Sequence, residues 1–97
     1  MFRHVVLFRW TGEATEAQKR ALHDELAKMP PAIDVIRAYR FGPDAGVNPA
    51  NFDYAVVADF DDQAGYLTYR DHPVHRELVE RYVTPIVASR AAVQFEI

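Results

Sequence analysis

The sequence predicts an α+β domain, a single antiparallel sheet of four strands with helices packed on one face. Three observations carry that prediction. Residues 2–10, 52–60 and 91–97 alternate in the two-residue period of strands and are rich in β-branched and aromatic types. The capping-box pattern Thr15-Glu16-Ala17-Gln18 opens a stretch whose apolar residues recur with helical spacing. A second helix start is marked by His72-Pro73, because proline suits the first helical position, where its missing N–H would be unpaired anyway.

Taken in order, the first strand spans residues 2–10, with Phe2, His4, Val6, Phe8 and Trp10 on its even face. Arg3, Val5, Leu7 and Arg9 occupy the odd face, and Thr11-Gly12 breaks the strand. The first helix runs from the capping box to about Met29, where Pro30-Pro31 ends it. Its apolar stripe is Ala21, Leu22, Leu26 and Met29, which leaves His23 as solvated surface. The second strand covers residues 35–41, and residues 42–51, holding two Gly, two Pro and two Asn, form a loop. The third strand follows at residues 52–60, with Tyr54, Val56, Ala58 and Phe60 on its even face. Asp61-Asp62 caps a short helix over residues 63–70, Pro73 opens the next, and Pro85 ends it. Residues 91–97 close the chain as a strand.

The order is βαββαβ, with the second helical segment interrupted at His72-Pro73. Right-handed crossovers turn that order into a ferredoxin-like sheet with both helices on one face. Val5, Leu7, Ala55 and Val57 then make the opposite face apolar as well, and no helix remains to cover them. An open sheet face of mixed apolar and charged character on a small protein points to a partner, and a homodimer packed sheet against sheet is the simplest closed solution.

Composition narrows the function classes. Ninety-seven residues make one domain, spanning residues 1–97, with one core. A net charge of -3 without a run of Lys or Arg argues against a nucleic-acid partner. No segment has the roughly 20 apolar residues of a membrane span, and the amino terminus lacks a signal peptide's apolar stretch, so a cytoplasmic protein without membrane attachment is expected. Cysteine is absent, which removes thiol chemistry and disulfides.

The chemistry concentrates at residues 69–75, Tyr-Arg-Asp-His-Pro-Val-His. His75 falls on the third helical residue with Leu78, Val79 and Tyr82 on the inner face of its helix. Two readings fit it. His75 reaches back to cap free N–H groups, as Glu or Gln does in a capping box. Or it is a general base, kept neutral by the positive end of the helix. His4, Tyr54 and Tyr69 are the polar tips that can join it, within apolar walls of Val6, Phe8, Leu22, Leu26 and Val56, the usual make-up of a small-molecule site. A metal site from Asp71, His72 and His75, with His4, has the right ligand types. However, His72 sits at the cap while His75 points inward, so neither a metal nor another cofactor is expected.

His4-Val5-Val6-Leu7-Phe8, the third strand from Tyr54 to Phe60, and Tyr69…His72-Pro73-Val74-His75 resemble the stress-responsive A/B barrel (Dabb) family over nearly the whole chain. The resemblance implies a dimeric α+β barrel. It also implies the residue roles of a family polyketide cyclase, which closes a linear chain by intramolecular aldol condensation without a cofactor. His75 matches its base, Tyr69 the phenol that positions the substrate, and His4 its strand-one pocket histidine. Tyr54 and Leu26 stand where that enzyme has a histidine and a tyrosine. The sequence is therefore read as a cofactor-independent cyclase or lyase for a small hydrophobic carbonyl compound, with His75 and Tyr69 catalytic. His4, Val6, Phe8, Leu26, Tyr54 and Val56 are the expected substrate contacts. The alternatives are a non-catalytic homodimeric stress or ligand-binding protein, and a cofactor-free monooxygenase like related dimeric α+β barrels.

Overall fold

The even residues of the first strand need an apolar layer to cover them, and the fold is built around that need. The computed structural model describes residues 1–97. Strand β1 (Phe2–Trp10) buries His4, Val6 and Phe8, and β3 (Tyr54–Phe60) buries Tyr54, Val56, Ala58 and Phe60 on the same side. The two pair antiparallel, Val6 opposite Val56 and His4 opposite Ala58. Strand β2 (Ala38–Pro43) flanks β3, and β4 (Val87–Glu96) flanks β1. The resulting order, β2-β3-β1-β4, is antiparallel throughout and is the ferredoxin-like arrangement expected from βαββαβ.

Helix α1 (Glu16–Leu26) opens with the capping box: Gln18 donates its backbone N–H to Thr15 Oγ1 at 3.1 Å, and Thr15 N–H returns to Gln18 Oε1 at 2.9 Å. Leu22 and Leu26 go into the core. The expected run to Met29 is wrong, and so is the role given to the two prolines. Helix α1 stops at Leu26, and Pro30 and Pro31 lie inside a separate short helix, α2 (Met29–Ala32). Proline is tolerated there because first-turn N–H groups have no helical partner to lose. Burial of Met29 and Ile33 fastens this turn to the core.

Strand boundaries shift as well. Strand β2 starts three residues later than expected, although Arg37 N–H already bonds Asp59 O at 2.8 Å. Strand β3 begins two residues later than expected, at Tyr54, although Asp53 N–H already bonds Phe8 O at 2.8 Å and its carboxylate accepts Trp10 N–H at 2.8 Å. Strand β4 begins four residues early, at Val87, beyond a register shift at Arg9/Trp10. Ala88, Ser89 and Arg90 carry no strand signal of their own; pairing with β1 draws them in.

Helix α3 (Gln63–Asp71) is capped by Asp62, whose Oδ1 accepts Gly65 N–H at 2.9 Å. Helix α4 (Pro73–Leu78) is capped by His72, whose Nδ1 accepts Val74 N–H at 3.1 Å, with Pro73 at the first position as predicted. The helix then widens into a π-helical turn, Val79–Val83, closed by Thr84 N–H to Val79 O at 2.9 Å. Nothing in the residue pattern signals this change of pitch. No helix is long and apolar enough to cross a membrane.

All helices pack on one face of the sheet. On the other, Val5, Leu7, Ala55 and Val57 are half-buried, while Val93 and Phe95 of β4 are 54% and 43% exposed. Nothing in the protomer covers them.

Candidate functional site

The His-Pro break between α3 and α4 turns two aromatic side chains toward the sheet. Tyr69, in the last turn of α3, is buried, and its ring centroid lies 4.2 Å from that of His75 in α4. Between this pair and strands β1 and β3 is a cavity of about 150 Å³. An apolar cavity of that volume accepts a benzene ring. His4, Val6, Phe8, Leu26, Val56, Tyr69 and His75 all line it, so seven of the eight expected site residues converge.

Tyr54 is the exception: it does not line this cavity. Its hydroxyl lies 2.7 Å from Nδ1 of His23, on α1. His23 is exposed as expected, yet it is not idle surface: it also meets Phe41 edge-on at 5.0 Å.

The hydrogen bonds of the two inner histidines fix their tautomers. His75 Nδ1 is 3.0 Å from Arg70 O, and a carbonyl only accepts, so Nδ1 carries the proton. In the neutral ring Nε2 then holds a free lone pair. The capping reading of His75 is thereby excluded, because the ring donates to a carbonyl and caps no N–H. At His4 the arrangement is reversed. Gln94 donates its amide N–H to His4 Nδ1 at 2.9 Å, which places the imidazole proton on Nε2. The cavity therefore has one imidazole able to accept a proton and one able to donate a hydrogen bond.

Both rings are held neutral. Burial, then repulsion from His75 and Arg90, lowers His4 to about 4. Burial also lowers His75, outweighing the bond to the Arg70 carbonyl that favours its cation. Asp71 opposes the shift least, since it is exposed and paired with Arg70 at 2.9 Å. Tyr69 is pushed up to about 12 by burial, and its hydroxyl sits 2.8 Å from that of Tyr39. Burial raises Tyr39 further still. Both phenols thus remain donors at neutral pH.

Asp71, His72 and His75 do not converge as metal ligands: Asp71 is tied to Arg70, and His72 is occupied as the cap of α4. No three His, Asp or Glu side chains gather as a metal ion requires. Sequence reasoning missed Tyr39, which backs Tyr69, and Arg90, which lines the cavity from β4. Tyr39 was legible only as one residue of a strand face. Arg90 would have been found had β4 been started early enough to set it opposite Phe8.

Fold and site together define a ferredoxin-like α+β protein with a small acid–base cavity under its helices. Across residues 2–97 the sequence matches the Stress responsive A/B Barrel Domain family, and the chain belongs to that family. A dimeric ferredoxin-like protein of unknown function from Thermobifida fusca YX is 42% identical, with a TM-score of 0.92 over 99% of this chain and 90% of that one. A dimeric protein of unknown function from Bacteroides fragilis NCTC 9343, also ferredoxin-like, is 25% identical, with a TM-score of 0.80 over 99% and 95%. Hydroxynitrile lyase from Passiflora edulis shares the fold at 18% identity, with a TM-score of 0.87 over 99% and 92%. No curated protein matches the chain.

Proposed function

We propose that this protein is a cofactor-independent lyase or cyclase acting on a small carbonyl compound, with His75 as general base and Tyr69 as carbonyl partner. The observation that carries this reading is the bond from His75 Nδ1 to Arg70 O, which leaves Nε2 unprotonated on a ring lining the cavity. His75 Nε2 takes a proton from the carbon next to the carbonyl, and the electron pair moves onto the carbonyl oxygen. Tyr69 O–H donates to that oxygen as charge develops, while Tyr39 donates to Tyr69 from behind. In the cyclase direction the enolate carbon then attacks a second carbonyl, a C–C bond forms, and the new alkoxide takes the proton back from His75. The lyase direction is the reverse. The proton taken in one step is returned in the next, so oxidation states balance within the substrate. His4, with its proton on Nε2, supplies a further donor from the sheet side.

The same reading makes the uncovered sheet face a homodimer interface, formed by Val5, Leu7, Ala55 and Val57 with Val93 and Phe95 of β4. The 42% identical Thermobifida fusca protein is described as dimeric.

Deuterium exchange at the α-carbon of phenylacetaldehyde, followed by proton NMR, tests the catalytic half. Wild type is expected to accelerate exchange, and His75→Ala to lose most of a positioned base's contribution, about 10²–10⁴-fold. Tyr69→Phe should lose less. Exchange unchanged in His75→Ala would leave a non-catalytic ligand-binding protein as the better account.

A further inference from the structure

We propose that the cavity is built for a small monocarboxylate, whose carboxylate pairs with Arg90 while its apolar part lies against Val6, Phe8 and Val56. Four features of the cavity lead there. None of its lining residues is Asp or Glu, so the protein supplies no negative charge inside it. Its two arginines are not equivalent. Arg70 is taken up by Asp71, its Nε and Nη2 bonded to the two carboxylate oxygens at 2.9 and 3.1 Å. Arg90 has no ion pair and no side-chain hydrogen bond. It is also close enough to disfavour protonation of both inner histidines.

A guanidinium offers a planar fork of donors that matches a carboxylate bidentately, at a distance and strength beyond a neutral hydrogen bond. A single arginine and a cavity of about 150 Å³ suit a small planar monoanion better than a phosphate ester, which carries more charge and bulk. Arg90 faces the cavity from opposite Phe8 in the β1–β4 register, at the sheet end of the site. His75 and Tyr69 enter from the helices. A ligand spanning the two would present its carboxylate to β4 and its carbonyl to Tyr69, which makes the substrate class a small apolar oxo acid. The reactive half of that description rests on the acid–base reading above; the carboxylate half does not.

The experiment separates the two. Benzoate, benzyl alcohol and inorganic phosphate are titrated into the purified protein, with binding read by calorimetry and by amide shifts around Val6 and His75. Benzoate is expected to bind at least about tenfold more tightly than benzyl alcohol, the scale of one charge-assisted hydrogen-bonded pair. Added salt should weaken benzoate alone. Arg90→Gln should erase the preference and leave benzyl alcohol unaffected; Arg90→Lys, which keeps the charge but not the fork, should retain part of it. Arg76→Gln, on exposed surface outside the cavity, should change nothing. Benzoate binding no better than benzyl alcohol, or an undiminished preference in Arg90→Gln, overturns the proposal. Phosphate displacing benzoate at equal concentration overturns the choice of carboxylate. A carboxylate preference without α-proton exchange would remove the catalytic reading and leave this one standing, and exchange of the neutral aldehyde without a carboxylate preference would do the opposite.

Discussion

His4 and His75 are kept neutral first of all by being withdrawn from water, and that has a consequence for stability. The folded value of His4 is about 4, against 6.5 for the free side chain. Well above pH 6.5 neither the folded nor the unfolded chain protonates this group, and it has no effect. As pH falls from 6.5 toward 4, the unfolded chain binds a proton that the folded chain refuses, so stability drops. His4 alone should remove up to about 3 kcal/mol at the acid end, and His75 acts in the same direction. Urea unfolding followed across this range checks the slope, and His4→Gln should flatten it. A second prediction concerns the pair of phenols. Tyr39→Phe strands the buried hydroxyl of Tyr69, which should cost about 1–3 kcal/mol in thermal unfolding.

Helix α4 is only six residues long, well below the length that holds as a helix by itself. It stands because His72 caps it, Pro73 pre-sets its first turn, and Leu78 is buried beneath it. His72→Ala should therefore cost about 1 kcal/mol and speed amide exchange at Val74, with His75 three residues downstream losing rigidity. Leu22→Ala, in the fully buried stripe of α1, should cost about 2–5 kcal/mol, since a cavity remains after the side chain is removed. Elements of this kind were readable beforehand where a local hydrogen bond dictates them: the Thr15–Gln18 box, the Asp62 cap and the His72-Pro73 start each depend on neighbours in sequence. What was not readable depends on distant partners. Pro30-Pro31 forms a helical turn because Met29 and Ile33 find the core, and the π-helical turn carries Val79 and Val83 to the cavity wall. Arg90 escaped notice because its strand is held by β1, not by its own side chains. The placement of His75, Tyr69 and most of the apolar wall around one cavity was legible, because each lies on a face whose period the sequence displays. The contact of Tyr54 with His23 was not legible, because a strand face says nothing about which neighbour a hydroxyl meets.

The sheet order follows from element order alone, and it leaves one broad surface for assembly. Val57→Arg, near the middle of the uncovered face, should convert the proposed dimer to monomers while keeping the cavity, as sedimentation velocity would show. Intact dimer in that variant would move the interface elsewhere. The order β2-β3-β1-β4 has another result: β4 is an outer strand, ten residues long and exposed along nearly its whole length. Its free side offers a row of backbone donors and acceptors beside Val93, Phe95 and Ile97. Such a rim is a template for strand addition by any extended chain. With β4 at the rim of the sheet, an unblocked protomer is thus open to fibrillar growth by strand addition, whatever covers the face of the sheet.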